Sequence, residues 1–271
     1  MVEEERSDFV PVECGVPQGS VLGPGLFLTY INDLLAGIKS KVRLFADDTM
    51  CSKTIKKAED QRTLQEDLDS LTTWEEQWSM DFHLQKCSKL SATCKRKVIP
   101  AYELHEHILE NVSMTKYLEV TIQDGLRWVS HISSTTSKAN KTLGFLRRNL
   151  KIGNKKTKKT AYKALVRPLL EYAATVWDPY TASEIQIIEK VQRIAARWVS
   201  NRHRQTSCIN TMLDALNWPT PQKRRRRAWL EIFYKFHYGL VSINSSFLPK
   251  PLGSRLSSRK NTTCSYDIPS C

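Results

Sequence analysis

The hydrophobic pattern of the chain changes near residue 125, and this change limits the folds open to it. Before that point, apolar residues come in short runs between Gly, Pro and charged residues, interrupted by two helical stripes. From Trp128 to about residue 241 they recur at helical spacing. The pattern predicts an α+β part over residues 1–125, an all-helical part over 126–241, and a polar tail over 242–271 that we expect to be disordered.

Helical periodicity locates the individual helices. After Pro24, apolar residues at helical spacing to Leu35 predict a helix with one buried face. A second stripe predicts a helix over 57–79, formed by Leu64, Leu68, Leu71, Trp74 and Trp78. Further helices are expected near 129–150, 156–175, 182–200, 207–216 and 220–240, with Pro168 kinking the second of these or beginning a new one. Core packing is the expected role of Trp74, Trp78, Trp177, Trp198 and Trp229.

Two adjacent carboxylates interrupt a sequence that otherwise indicates strands. In "RLFADDTMC", residues 43–51, a short apolar run leads into Asp47 and Asp48, and a second short run follows. The stretch predicts a hairpin with an acidic turn, and further short strands are expected between residues 87 and 123. Aspartate disfavours strands and resists burial without a partner, so either a solvated turn or a bound cation accounts for the pair. Magnesium, which prefers oxygen ligands, is the cation that such a pair suits.

Charge is distributed unevenly along the chain. The formal net charge is +13, yet residues 1–80 carry 8 basic and 15 acidic residues. Residues 125–170 contain 12 Lys/Arg and no acid, and "KRRRR" follows at 223–227. Such a field attracts polyanions, with nucleic acid the leading candidate. A solvated helix face or a nuclear-import sequence is the alternative explanation.

Other classes of protein are disfavoured by what the sequence lacks. No apolar run is long enough to span a bilayer, and the acidic start "MVEEERSDF" does not resemble a signal peptide. The seven cysteines show no zinc-type spacing, so reduced thiols and an intracellular location are expected, with no membrane contact and the nucleus as a compartment consistent with the basic runs. His105 and His107 flank Glu106, but no third metal ligand stands nearby in the sequence.

Several motifs in order resemble a known family. "GVPQGSVLGP" (15–24) is followed by a helix, by "FADDT" (45–49), by "DLDSLTTWEEQWSMDFHLQKC" (67–87) and by "KYLEVTI" (116–122). The series resembles the reverse transcriptase domain of non-LTR, LINE-type, jockey-like retrotransposons, and the likeness extends over residues 7–241. It implies a partial polymerase palm, a small antiparallel sheet with helices, followed by a helical thumb-like region.

The resemblance assigns roles to individual residues. Asp47 and Asp48 would bind catalytic Mg²⁺, and Lys86 would assist the leaving pyrophosphate or be an exposed lysine at a strand start. Template or nucleotide contacts would come from Pro17, Gln18, Gly19, Phe45 and Ala46. Tyr117 and Leu118 would contact the primer or pack beneath it. The nucleic-acid backbone would meet Arg147, Arg148, Lys151, Lys155, Lys156, Lys158 and Lys159.

The sequence also departs from the family pattern. Only 14 residues precede Gly15, so we expect a domain truncated at both ends that lacks the upstream catalytic aspartate strand and the fingers. Glu119 replaces the glycine expected after "YL". The expected function is therefore a fragment of an RNA-directed DNA polymerase acting on an RNA template and a DNA primer through two magnesium ions, and not competent alone. The alternatives are a non-catalytic nucleic-acid-binding remnant and a degenerate product without a selected role.

Overall fold

The protein, in a computed structural model, divides into two compact units that meet in the sequence at Trp128 and Val129. The structure describes residues 19–93, 100–151, 153–202 and 208–241. The predicted tail over 242–271 lies outside the described residues. Within the described ranges, no helix combines the length and the apolar character needed to cross a membrane.

The first unit mixes helices with small sheets, which confirms the α+β prediction. Its elements are α1 Gly23–Tyr30, β1 Lys41–Phe45, β2 Asp48–Ser52, α2 Ala58–Trp78, a 3₁₀ turn Leu84–Lys86, β3 Ser88–Leu90, β4 Glu103–Leu104, β5 His107–Ile108, β6 Glu110–Val112, β7 Met114–Tyr117 and β8 Val120–Gln123. The strands form four two-stranded sheets, of which β1–β2, β4–β5 and β7–β8 are antiparallel and β3–β6 is parallel. The expected single antiparallel sheet is therefore not what the described strands form, because each of these short strands pairs on one side only.

The core of the first unit forms where α2 packs against the segment that follows α1. Leu68, Leu71 and Trp74 of α2 are buried together with Ile31 and Leu34. The Trp74 indole donates a hydrogen bond to Asp33 Oδ1 over 2.9 Å, which satisfies its N–H inside the cluster. The helical stripe over 57–79 was therefore predicted correctly, although its last member, Trp78, is partly exposed and packs its ring beside Tyr30.

The second unit is helical in its described residues. It contains α3 Val129–Asn149, α4 Lys155–Ala161, a π-helical turn Tyr162–Val166, α5 Arg167–Glu171, α6 Ala182–Val199, α7 Ile209–Leu216 and α8 Pro221–His237. The five predicted helical regions are confirmed. Pro168 has no N–H and its ring crowds the carbonyl four residues back, so the chain widens into the π turn just before it and α5 starts anew.

The interior of this unit is built from aromatic and aliphatic side chains of α3, the π turn and α6. Trp177 has no exposed surface, and its indole donates to the Tyr172 carbonyl over 2.8 Å. Tyr162 stacks on Trp218 at 4.4 Å between ring centroids, and burial raises the pKa of the Tyr162 hydroxyl to about 12. Trp198 is also buried. The core prediction was wrong for Trp229, which is 48% exposed, while the buried residues of α8 are Pro221 and Arg225 in its first half.

Candidate polymerase hairpin and basic helical surface

The two aspartates lie at the tip of a tight hairpin, as the sequence predicts. β1 and β2 pair in register from Lys41–Ser52 to Phe45–Asp48, which leaves Ala46 and Asp47 as the turn. Ala46 has φ of +51°, a left-handed conformation that closes the turn in the smallest number of residues. Asp47 therefore projects from the turn itself, and Asp48 opens β2 directly opposite Phe45. All four tip residues, from Phe45 to Asp48, are exposed.

The base of the hairpin is fixed to the core of the first unit. Val42 is buried and Leu44 packs against the cluster around Trp74, so one face of β1 is fastened down. Because side chains alternate along a strand, the opposite face carries Phe45 and its partner Asp48 toward solvent. The carboxylates are thus held at the end of a short hairpin whose base is packed against the core, and not on a free loop.

Asp67 of α2 holds the segment that leads into β1. It is 2% exposed, and its two oxygens accept hydrogen bonds of 2.8 Å from the backbone N–H groups of Lys39 and Ser40. Burial pushes the pKa of the Asp67 carboxyl up, but the hydrogen bonds from Ser40 and Lys39 outweigh burial, and the pKa is lowered from its usual range. A buried carboxylate in this position ties the direction of β1 to the axis of α2. No pattern in the sequence distinguishes Asp67 from the other acids of this helix.

The tip has the donor chemistry that a hard cation requires. Asp47 and Asp48 offer carboxylate oxygens, and neither forms a salt bridge with another described residue. Oxygen donors with room for water and phosphate oxygens suit magnesium. The described residues contain no cluster of three or more His, Cys, Asp or Glu side chains able to hold a metal. Two carboxylates alone leave most of an octahedral shell to water or substrate.

Of the other residues assigned to nucleotide, template or pyrophosphate contacts, some lie within the described residues and others do not. Pro17 and Gln18 lie outside the described residues. Gly19 is exposed with φ of +80°, and a Cβ at this position would meet nothing within 4 Å, so backbone conformation is what requires glycine there. Lys86 ends the 3₁₀ turn before β3, and it is exposed. Both interpretations of Lys86, as a pyrophosphate contact and as a surface lysine, remain predictions.

The segment assigned to the primer is a two-residue hairpin turn. Tyr117 ends β7, Val120 begins β8, and Leu118 and Glu119 between them have φ of +45° and +63°. Turns with two left-handed residues favour Asn and Gly, so a glycine at position 119 would relax this backbone. Glu119 instead pairs with Lys116. Val120 is buried while Tyr117 and Leu118 are half-buried, so both keep part of their surface open.

The basic residues of the second unit separate into exposed and structural groups. Of the seven assigned to the nucleic-acid backbone, five are exposed and form no salt bridge with described residues: Arg147, Arg148, Lys151, Lys155 and Lys156. Lys158 is 4% exposed, and its ammonium donates to Asn201 Oδ1 over 2.8 Å and lies over the Trp198 ring. Lys159 donates to the Leu216 carbonyl at the end of α7, also over 2.8 Å. The assignment of Lys158 to a phosphate contact is wrong, because its side chain is buried and paired inside the helical unit, while the assignment of the half-buried Lys159 stays a prediction.

A polar groove on α3 was not anticipated from the sequence. It has a volume of about 570 Å³ and is lined by Ser133, Thr136, Ser137, Asn140, Lys141, Gly144 and Arg148. Small hydroxyl and amide side chains line its N-terminal part, and Lys141 and Arg148 line its C-terminal part. The signal in the sequence is a run of small polar residues at helical spacing, which charge counting alone does not reveal.

The comparison with protein families identifies the class. Residues 1–163 match the family described as "Reverse transcriptase (RNA-dependent DNA polymerase)", a span that includes the acidic hairpin, the β7–β8 hairpin, α3, α4 and the first two residues of the π-helical turn. The chain belongs to this family.

The relatives narrow the family to LINE-type, jockey-like reverse transcriptases, as the motifs predicted. The chain is 26% identical over 216 residues to the "RNA-directed DNA polymerase from mobile element jockey" of Drosophila melanogaster and 29% identical over 211 residues to its namesake in Drosophila funebris. It is 28% identical over 202 residues to the "Probable RNA-directed DNA polymerase from transposon X-element" of Drosophila melanogaster. These matches cover 73%, 72% and 70% of this chain but 23%, 23% and 22% of the relatives. No solved structure matches the chain.

Proposed function

We propose that the chain is a portion of an RNA-directed DNA polymerase in which the β1–β2 hairpin presents Asp47 and Asp48 to catalytic magnesium. The observation that carries the proposal is an exposed pair of unbridged carboxylates on a hairpin whose base is buried. In this assignment the first unit is part of the palm and the second is a thumb-like region. Magnesium bound there would stabilise the charges of phosphoryl transfer from nucleotide to primer.

The residues of this chain hold the metal ligands in position, but they do not form a complete reaction centre. Asp47 supplies a ligand from the turn and Asp48 a ligand from the first position of β2, opposite Phe45. Phe45 offers an exposed ring beside the carboxylates, where it would bound the space for the primer end. Asp67 keeps the hairpin in a constant orientation through the N–H groups of Lys39 and Ser40. These contacts hold the two carboxylates in position before a metal binds, so less conformational entropy is lost on binding.

The basic helical surface is proposed to hold the nucleic-acid backbone. This surface is defined by the exposed Arg147, Arg148, Lys151, Lys155 and Lys156, which no described acid neutralises. Contacts to phosphates release counterions, so binding should weaken steeply with salt and show little sequence preference. The partners would be an RNA template and the growing DNA strand, as the relatives' names suggest for those proteins.

We propose further that this chain alone does not extend a primer. The described residues place two carboxylates at the tip and no third potential ligand with them. Two-metal chemistry requires both ions in fixed positions, which two carboxylates on one turn do not provide. The test is extension of a labelled primer on an RNA template with Mg²⁺, using the wild-type chain and Asp47→Ala. Extension by the wild type that disappears in the variant would contradict this proposal.

A second candidate, a non-catalytic nucleic-acid-binding remnant, is favoured by the same unneutralised cations. It predicts binding to an RNA/DNA duplex with a steep salt dependence in the absence of any polymerase activity. Lys155→Glu/Lys156→Glu should reduce the slope of log Kd against log salt by about two. The matched control is Lys56→Glu/Lys57→Glu, which reverses the same number of exposed charges just before α2. Equal slopes for the wild type and Lys155→Glu/Lys156→Glu would indicate that these lysines form a solvated helix face and do not contact phosphates.

A further inference from the structure

One face of α8 exposes aromatic and apolar side chains that neither the hairpin nor the α3 groove accounts for. Leu230, Tyr234 and Tyr238 follow one another at helical spacing, and each is more than half exposed. The Tyr234 and Tyr238 rings are in contact, with centroids 4.4 Å apart and planes tilted by 41°. Large exposed apolar surfaces in a soluble unit commonly mark a binding surface.

The end of α8 shapes this face into a shallow groove. Gly239 has φ of +65° and reverses the chain, and the Leu240 N–H closes the turn on the Lys235 carbonyl over 2.9 Å. Leu240 is thereby brought beside Leu230 and Tyr234, and the groove has a volume of about 400 Å³. Its lining is completed by Arg227, Glu231 and Lys235.

The charge of this face is positive. Lys223, Arg227 and Lys235 are exposed along the helix; Lys223 lies three turns before Tyr234, Arg227 lies two turns before it, and Lys235 directly follows it. Glu231 is the acid in the groove, and it accepts from Arg227 over 2.7 Å in a pair that is open to solvent. Of the other three arginines of the run, Arg224 and Arg225 are bound to Glu171 and Asp178 and hold α8 against the rest of the unit, while Arg226 is exposed. The helix is therefore held rigidly while its outer face stays cationic.

We propose that the α8 tyrosine face, defined as Arg227, Leu230, Tyr234, Tyr238 and Leu240, binds single-stranded nucleic acid. Exposed aromatic rings flanked by cations are what an unpaired strand requires, because bases stack on the rings while phosphates contact the basic side chains. A duplex offers its phosphates but keeps its bases stacked, so it cannot use the tyrosines. The face lies on a different helix from the basic surface proposed to hold the duplex, and its function does not depend on that proposal.

The experiment measures binding of the full 271-residue chain to a fluorescein-labelled single-stranded RNA of uniform sequence and to an RNA/DNA duplex. Tyr234→Ala/Tyr238→Ala should weaken binding to the single strand by about tenfold or more, because two stacking contacts are lost. Affinity for the duplex should be unchanged. Tyr234→Phe/Tyr238→Phe keeps the rings and should bind the single strand within about twofold of the wild type, since stacking is retained.

The matched control is Trp229→Ala, which removes an exposed aromatic ring from another side of the same helix. It should leave single-strand affinity unchanged. The proposal is overturned if the double alanine variant binds the single strand as the wild type does, or if it loses single strand and duplex equally. A fall of several degrees in the Tm of Tyr234→Ala/Tyr238→Ala, with the Trp229 variant unaffected, would likewise overturn it, because the face would then be packed against another part of the chain.

Discussion

Replacing Asp67 with Asn tests whether a buried carboxylate fixes the acidic hairpin to α2. The variant keeps the shape of the side chain but exchanges one acceptor oxygen for an NH₂ group. That group would face a backbone N–H of Lys39 or Ser40, which now donate to the two carboxylate oxygens over 2.8 Å each. One hydrogen bond is lost, and a buried N–H is left without a partner. The remaining hydrogen bond is made to a neutral acceptor in place of a charged one.

The expected loss is large for a substitution that removes no atoms from the core. Hydrogen bonds to charged groups contribute about 1.5–3 kcal/mol each, so Asp67→Asn should lower the free energy of unfolding by about 2–3 kcal/mol. Solvent screening does not reduce this figure much, because Asp67 is 2% exposed. The assay is urea denaturation at pH 7, followed by tryptophan fluorescence.

The matched control is Asp69→Asn on the same helix. Asp69 is exposed and accepts a hydrogen bond from the Gln65 side chain, so its substitution should change stability by less than about 0.5 kcal/mol. If Asp67→Asn and Asp69→Asn had the same effect, the buried carboxylate would not be what anchors β1.

The pH dependence of Asp67 provides an independent check on the same contact. Its pKa in the folded state is lowered, while an aspartate in the unfolded chain titrates near about 3.9. Its contribution is therefore complete above the unfolded pKa and is lost as pH falls through the folded pKa. The stability difference between wild type and Asp67→Asn should stay constant from pH 7 to about pH 5 and narrow below about pH 4. A difference that is unchanged in acid would refute the reasoning.

Three further predictions concern the turn, the thiol and the core. Glu119→Gly should raise the free energy of unfolding by about 0.5–1 kcal/mol, since it relieves a left-handed φ of +63°, and urea titration measures this. The pKa of the exposed Cys208 thiol is lowered by a hydrogen bond from the Thr211 hydroxyl and, to a smaller extent, by N–H groups of the first turn of α7. Iodoacetamide should therefore alkylate Cys208 faster than free cysteine near pH 7.5, and Thr211→Val should slow the reaction. Peptide mass spectrometry measures both rates. Trp177→Ala should cost about 3–5 kcal/mol and Trp229→Ala less than about 1 kcal/mol.

Each of these has a defined control and contrary outcome. For the turn, Glu110→Gly places the same substitution in β6 at an ordinary backbone conformation and should destabilise; a loss of stability in Glu119→Gly would contradict the strain argument. For the thiol, burial raises the pKa of Cys51 and Cys87, so they should alkylate more slowly than Cys208, and the reverse order would be contrary. For the core, equal losses at the two tryptophans would contradict the burial pattern.

Periodicity and turn chemistry were sufficient to predict most elements of the fold. The stripe from Leu64 to Trp74 located α2, and the adjacent Asp47 and Asp48 located the hairpin turn. These predictions succeeded because each depends on neighbours in the sequence. The number and pairing of the small sheets were not predicted, since the parallel pairing of β3 with β6 joins residues that are distant in the chain.

The candidate site shows the same division between local and distant contacts. Charge counting found the basic region but could not separate Lys155 and Lys156 from Lys158, whose partner Asn201 lies more than 40 residues away. The Trp229 position satisfies a helical pattern, yet the buried residues of α8, Pro221 and Arg225, lie in its first half, and Trp229 one turn further on is 48% exposed. Such outcomes depend on which helix packs against which, and the periodicity of one helix does not contain that information.

The measurement that most directly tests the central claim is paramagnetic broadening of backbone NMR signals by Mn²⁺, used in place of Mg²⁺. The claim is that the hairpin tip is the metal-binding part of the described chain. Broadening should centre on residues 45–49 and disappear in Asp47→Asn/Asp48→Asn. Glu59→Gln/Asp60→Asn, which removes the exposed Glu59 and the half-buried Asp60 carboxylates from the start of α2, should leave it unchanged. Broadening that persists in Asp47→Asn/Asp48→Asn, or that centres on the start of α2, would contradict the account.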